Sequence, residues 1–112
     1  MRKTIKVSFT LFICTVFLSL QSFAQVEIPS AINELLTKHT CFTCHKIDKK
    51  FIGPSWIDVS AKGMKKAELV AAVYAPNIDR WPGYPPMMAM PQVPKKEVEK
   101  IADWISKLKS KK

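Results

Sequence analysis

The chain has 112 residues, 47% hydrophobic and 24% charged, with 18 lysines and arginines against 9 acidic side chains and a net charge of +9. That length allows one small domain, with or without a targeting segment, and excludes most multidomain enzyme architectures. Only 3 glycines argue against a glycine-rich nucleotide-binding fold, and the 3 cysteines are an odd set.

Residues 1–24 read as a signal peptide rather than as part of a fold. Arg2, Lys3 and Lys6 make a basic start, and residues 7–20 are an apolar run of 14. Ser22 and Ala24 then place small side chains at the spacing that a signal peptidase cleaves. The alternative is a retained membrane anchor, but 14 helical residues span about 21 Å, short of a hydrocarbon core of about 30 Å. Phe12 and Ile13 are too bulky for the small-residue box that would make Cys14 a lipidation site. Cleavage after Ala24 leaves one domain, residues 25–112, which is 88 residues long, with a charge of +6 and no membrane span. Cys41 and Cys44 then form an even pair outside the reducing cytosol, with the bacterial periplasm as the expected location.

A domain of that size buries a modest core and commonly depends on a disulfide, metal or cofactor. Three helices are expected within it. The first follows Pro29-Ser30 and runs to about Lys38, with Ile32, Leu35 and Leu36 on one face. The second covers Lys65 to about Tyr74, with Leu69, Ala72 and Val73 on one face, and stops at Ala75-Pro76. The last starts at Pro94 and carries Val98, Ile101, Ala102, Ile105 and Leu108 at helical spacing. Between the last two, the stretch from Pro76 to Pro94 holds six of the 8 prolines and is expected as a long, stiff loop. No sustained alternation suggests a sheet, so the fold class is all-α.

The sharpest chemical signal is Cys41-Phe42-Thr43-Cys44-His45, a C-x-x-C-H motif. Two thiols at this spacing can each add to a vinyl group of haem, and the adjacent histidine can then bind the iron. A structural disulfide or a zinc half-site is an alternative, but His39 is the only other histidine to complete a zinc site. A thiol–disulfide oxidoreductase using Cys41 and Cys44 is another; such domains carry the motif after a buried strand, and nothing upstream of Cys41 reads as one. The proline-rich loop contains Met87, Met88 and Met90, any of which could occupy the second axial position of a haem iron or serve as flexible core filling.

The ordered set of Cys41–His45, Ile52-Gly53-Pro54, Tyr84–Val93 and Ile101–Ile105 resembles the class I cytochrome c family, in particular its short bacterial monohaem branch, over roughly residues 30–108. The resemblance implies a small helical domain wrapped around one covalently attached haem c. It gives Cys41 and Cys44 the thioether bonds, His45 the proximal iron site, and the Pro54 carbonyl the other imidazole N–H. Met87, which follows Pro86, is the implied second axial ligand, with Met88 and Met90 as alternatives. Trp81 matches the family's tryptophan near the haem propionates, although its distance to Met87 is one residue longer than the pattern. Trp104 would pack the last helix against the first.

Such a chain is expected to carry single electrons. With both axial positions of the iron filled there is no open site for substrate, so no enzymatic turnover is expected. The alternative class is a haem enzyme or gas-binding module with an open sixth position. Redox partner proteins would dock at the exposed haem edge, nucleic acid would not bind, and the protein is expected to be a monomer. Lys38, Lys46, Lys49 and Lys50 cluster around the motif. They either steer an acidic partner to that edge or only keep the chain soluble.

Overall fold

The computed structural model describes residues 25–108. The expected signal peptide and the last four residues of the lysine-rich tail lie outside them. Four helices stand in the order α1 (Ser30–Lys38), α2 (Trp56–Ala61), α3 (Lys66–Tyr74) and α4 (Lys95–Lys107), with one-turn 3₁₀ segments at Cys41–Thr43 and Ile78–Arg80. No strand occurs among the described residues. The all-α expectation holds, and three of the helices lie within a residue of the bounds that periodicity and proline placement gave them.

Each helix begins where the chain supplies an acceptor for its otherwise unpaired first amides. The Pro29 carbonyl accepts from both Ile32 and Asn33 at 2.9 Å, and the Pro94 carbonyl accepts from Glu97 and Val98 at 2.9 and 3.1 Å. Proline has no amide of its own to satisfy, which suits it to these positions. At α3 the Glu68 carboxylate reaches back to the Lys65 amide at 2.8 Å. At α2 the Ser55 hydroxyl accepts from Asp58 at 3.0 Å.

The core gathers on α4. Its Val98, Ile101, Ala102 and Ile105 are all buried, and α1, α2 and α3 each pack against it. Leu36 of α1 is fully buried at 0% exposure. On α3 the buried residues are Leu69 and Val70, whereas Ala72 and Val73 are only half-buried. The expected face was therefore rotated, because Ala67 to Tyr74 is so apolar that periodicity does not select one side. Two hydrogen bonds tie the core down, one at either end of α4. Tyr74 donates its hydroxyl to the Val93 carbonyl at 2.7 Å, and Ser60 donates to the Leu108 carbonyl at 2.7 Å.

The long loop is not wholly irregular. Asn77 caps the 3₁₀ turn at Ile78–Arg80 through its side chain, which accepts from the Asp79 amide at 2.9 Å. Its C-terminal part is anchored by Met90, whose amide donates to the Val73 carbonyl at 2.9 Å.

Glu97, in the first turn of α4, receives Lys38 at 2.8 Å and also meets the His39 ring, so it clasps the end of α1. The Lys38 ammonium first, and His39 second, hold the Glu97 carboxyl below its ordinary value of 4.5. A lowered folded value means that the clasp is complete above that range and is lost as pH falls through it. Glu97→Gln should therefore unfold at a lower temperature than the parent at neutral pH. Melting curves of the two should converge once the pH lies well below the ordinary carboxylate range.

Candidate functional site

The end of α1 delivers the C-x-x-C-H motif through a backbone reversal. Thr40 has φ 57 and ψ 22, a left-handed conformation that costs a β-branched residue about 1–2 kcal/mol. Its amide donates to Thr37 and its carbonyl accepts from Thr43, each at 3.0 Å, so hydrogen bonds on both sides offset the strain. The 3₁₀ turn that follows presents Cys41 and Cys44, both free thiols and both half-buried. Burial pushes the Cys41 thiol above its ordinary value.

His45 comes next, 8% exposed, and the chain folds back around it. Its Nδ1–H donates to the Pro54 carbonyl at 2.7 Å, which leaves Nε2 as the nitrogen free to bind a metal. Gly53 sits directly against the ring. A Cβ there would stand 2.7 Å from Cε1 and 2.9 Å from Nδ1, closer than packed atoms come. The Gly53 amide also donates to the Cys44 carbonyl at 2.7 Å, fixing the return of the chain. Burial holds the His45 imidazole below its ordinary value, opposed by the bond to Pro54. At neutral pH the ring is thus neutral, with its Nε2 lone pair available.

Cys41, Cys44, His45 and Pro54 therefore share one compact locus. Trp81 and the methionines belong to the proline-rich loop. Trp81 is half-buried and meets Tyr84 edge-on at 6.1 Å, and Lys62 lies over its ring at 4.9 Å. Met87 and Met88 are exposed at 40% and 82%, whereas Met90 is half-buried against the core. Lys50 connects the two regions, donating to the Gly83 carbonyl at 3.4 Å and lying over the Tyr84 ring at 4.4 Å.

One residue beside His45 escaped the sequence reading. The Trp56 ring is stacked on the imidazole with centroids 4.4 Å apart and planes 25° apart. Its available signal was an aromatic residue just after Gly53-Pro54-Ser55, in a stretch that reads as a turn. Trp104, expected to join α4 to α1, has its ring edge-on to Trp56 of α2 at 6.2 Å. His39, the other histidine, caps the end of α1 and faces Glu97.

These residues fit a covalently held haem. Two unpaired thiols precede an imidazole whose Nδ1 is already committed and whose Nε2 is not. Phe51 and Ile52, a few residues after the motif, and Ile78, Met87 and Met88 of the proline-rich loop expose large apolar side chains, the kind of surface that a flat apolar ring would cover. A zinc site fits less well, because no group of three histidine, cysteine or acidic side chains comes together among the described residues.

Comparison with known proteins points the same way. A family model described as Cytochrome c matches residues 30–109. The chain is 33% identical over 88 residues to cytochrome c-551 of Allochromatium vinosum, covering 73% of this chain and 93% of that protein. It is 32% identical to cytochrome c-551 of Pseudomonas denitrificans, covering 68% of this chain and 95% of that one. The crystal structure of wild-type Nitrosomonas europaea cytochrome c552 superposes with a TM-score of 0.62 at 30% identity, over 69% of this chain and 99% of that chain.

Gly53 gives the locus its sharpest test. Gly53→Ala must displace the His45 ring or the Cys44–Gly53 backbone contact, at a cost of about 1–3 kcal/mol. Denaturant unfolding should show that loss, and the NMR signal of the His45 Nδ1 proton should broaden or move.

Proposed function

The chain belongs to the cytochrome c family, and we propose that Cys41 and Cys44 form the thioether bonds that hold its haem. It is a small monohaem electron carrier with one covalently attached haem c and its iron. When bound, that haem supplies a one-electron ferric–ferrous couple. The assignment of His45 as proximal ligand rests on a single observation. Its Nδ1–H is engaged by Pro54 at 2.7 Å, which orients the ring and leaves Nε2 for iron.

Met87 is the second axial ligand in this reading. Pro85 and Pro86 hold the preceding backbone extended, and Met87, 40% exposed, is not among the side chains packed on the core. Met90 is: its side chain packs on the core and its amide is bonded to Val73. Met88 is the most exposed of the three. Trp81, half-buried beside Tyr84 and with Lys62 over its ring, would meet the haem carboxylates in this reading. With two protein ligands the iron offers no site to substrate, so the protein transfers electrons without substrate turnover.

The carrier works between redox partner proteins after export to the periplasm, with residues 1–24 as the export signal. Among the described residues no helix is long and apolar enough to cross a membrane. The partners are acidic in this reading. Lys46 lies over the exposed Phe51 ring at 4.9 Å and Lys50 over the half-buried Tyr84 ring, so two ammonium groups are held beside aromatic rings, and Lys49, between them in sequence, is exposed. Lys38, by contrast, is paired with Glu97 and serves the helix clasp.

Protein matured in a haem-attaching host should keep its colour in the polypeptide through acid-acetone extraction. Colour passing into the solvent excludes thioether attachment. Met87→Ala should lose the methionine–iron charge-transfer absorption while Met88→Ala and Met90→Ala retain it. Retention in Met87→Ala moves the role to a neighbour.

Oxidation by ferricyanide, a small anionic probe, should slow as salt is added. Replacing Lys49 and Lys50 by glutamate should lower the low-salt rate by roughly tenfold and flatten the salt dependence. An unchanged salt profile leaves those lysines a role in solubility alone.

A further inference from the structure

One hydrogen bond fixes a point on an imidazole ring but leaves its plane free to rock. Beyond Gly53 at its edge, the His45 ring meets a second neighbour on its face. The Trp56 indole lies nearly parallel to it, 4.4 Å away, and is 6% exposed. That placement is built by the backbone. The Trp56 amide donates to Lys46 at 2.9 Å and the Ile57 amide to Ile47 at 3.1 Å. The first turn of α2 is thereby stitched to the two residues that follow His45. Behind the indole, Trp104 of α4 stands edge-on at 6.2 Å and 68°. Three rings thus run in a line from His45 to the C-terminal helix.

The indole Nε1 carries a second clue. It is the one side-chain nitrogen or oxygen among the described residues that is buried without a hydrogen-bond partner. The polypeptide gives the polar edge of Trp56 no partner, while its face is in aromatic contact with His45.

We propose that Trp56, backed by Trp104, is a positioning residue that sets the plane of the His45 imidazole and so the direction and electronic environment of its Nε2 lone pair. The inference rests on the reading of His45 as the iron ligand. A face-on aromatic partner restrains rotation of the ring, and its π-electrons favour the state in which the imidazole bears more positive charge. The ring plane is also what the methyl proton shifts of a ferric haem report.

The test uses the haem-loaded protein. Trp56→Phe keeps a flat ring and removes the N–H; Trp56→Leu keeps apolar bulk and removes the flat face. Trp104→Leu removes the backing. Trp56→Phe should retain the parent's spread of ferric haem-methyl shifts and its midpoint potential. Trp56→Leu should change both, and Trp104→Leu should change the methyl spread in the same sense by less. If Trp56→Leu does not accumulate as folded protein, Trp56→Met replaces it in the comparison. Unchanged methyl shifts in the leucine or methionine variant, with a low-spin spectrum intact, overturn the inference alone. A Trp56→Phe shift as large as that of Trp56→Leu also overturns it, assigning the effect to the N–H. Should His45→Ala keep the parent's low-spin spectrum, the ligand assignment itself falls, whatever the Trp56 variants do.

Discussion

Holding one imidazole still is the constraint around which the rest of this chain is arranged. Residues 44–57 form a collar about His45, closed by the hydrogen bond from the Gly53 amide to the Cys44 carbonyl, the His45–Pro54 hydrogen bond and the pairing of the Trp56 and Ile57 amides with the Lys46 and Ile47 carbonyls. The collar explains features that otherwise look unrelated. Gly53 must lack a side chain because the ring occupies that space. Pro54 accepts a bond and needs to donate none. Ser55, 1% exposed, caps α2 because the collar ends where that helix begins. A buried imidazole hydrogen-bonded at Nδ1 is held in one tautomer, and a ligand so prepared loses little freedom on binding metal.

The collar is carried by a small scaffold. Helix α4 supplies four of the buried apolar residues, and the other three helices are too short to be stable without it. Apart from the Glu97 clasp, the ion pairs at the surface add little, being partly exposed and screened by salt. What remains is the apolar surface left open by Phe51, Ile52, Ile78 and the two exposed methionines. A covalently attached haem c is itself a large apolar body, so cofactor and core are one economy in a chain of this length.

The parts of this structure that were legible in the sequence are those written in residue type at fixed spacing. Helices α1, α3 and α4 announce themselves through 3.6-residue periodicity, through Pro29 and Pro94 at their starts and through Pro76 after α3. The C-x-x-C-H motif is a chemical statement that needs no fold to be read. Helix α2 was missed because it has six residues and opens directly after Gly53-Pro54, a pair that reads as a break. Its stability comes from the Lys46 and Ile47 carbonyls, which are distant in pattern and visible only once the chain turns back. The left-handed Thr40 was illegible for another reason: a threonine gives no hint of positive φ, and the local bonds to Thr37 and Thr43 that hold it there carry no residue signature. Trp56 combined both difficulties. Nothing local marks an aromatic residue as the neighbour of a histidine eleven positions earlier.

The proline-rich loop is tethered unevenly. Met90 and Val93 are bound to α3 through the Val73 carbonyl and the Tyr74 hydroxyl, whereas the arm from Pro82 to Ala89 touches the body through the exposed Lys50–Gly83 contact and the Trp81–Tyr84 pair. The molecule is therefore modular along this one stretch. The arm can be lengthened, shortened or rewritten with a different donor side chain while the packing of α3 on α4 is left intact. Changes at Met90 or Val93 propagate directly into the core. Sequence change is thus absorbed most easily between Trp81 and Met90, the stretch that carries the proposed iron ligand, without altering the fold.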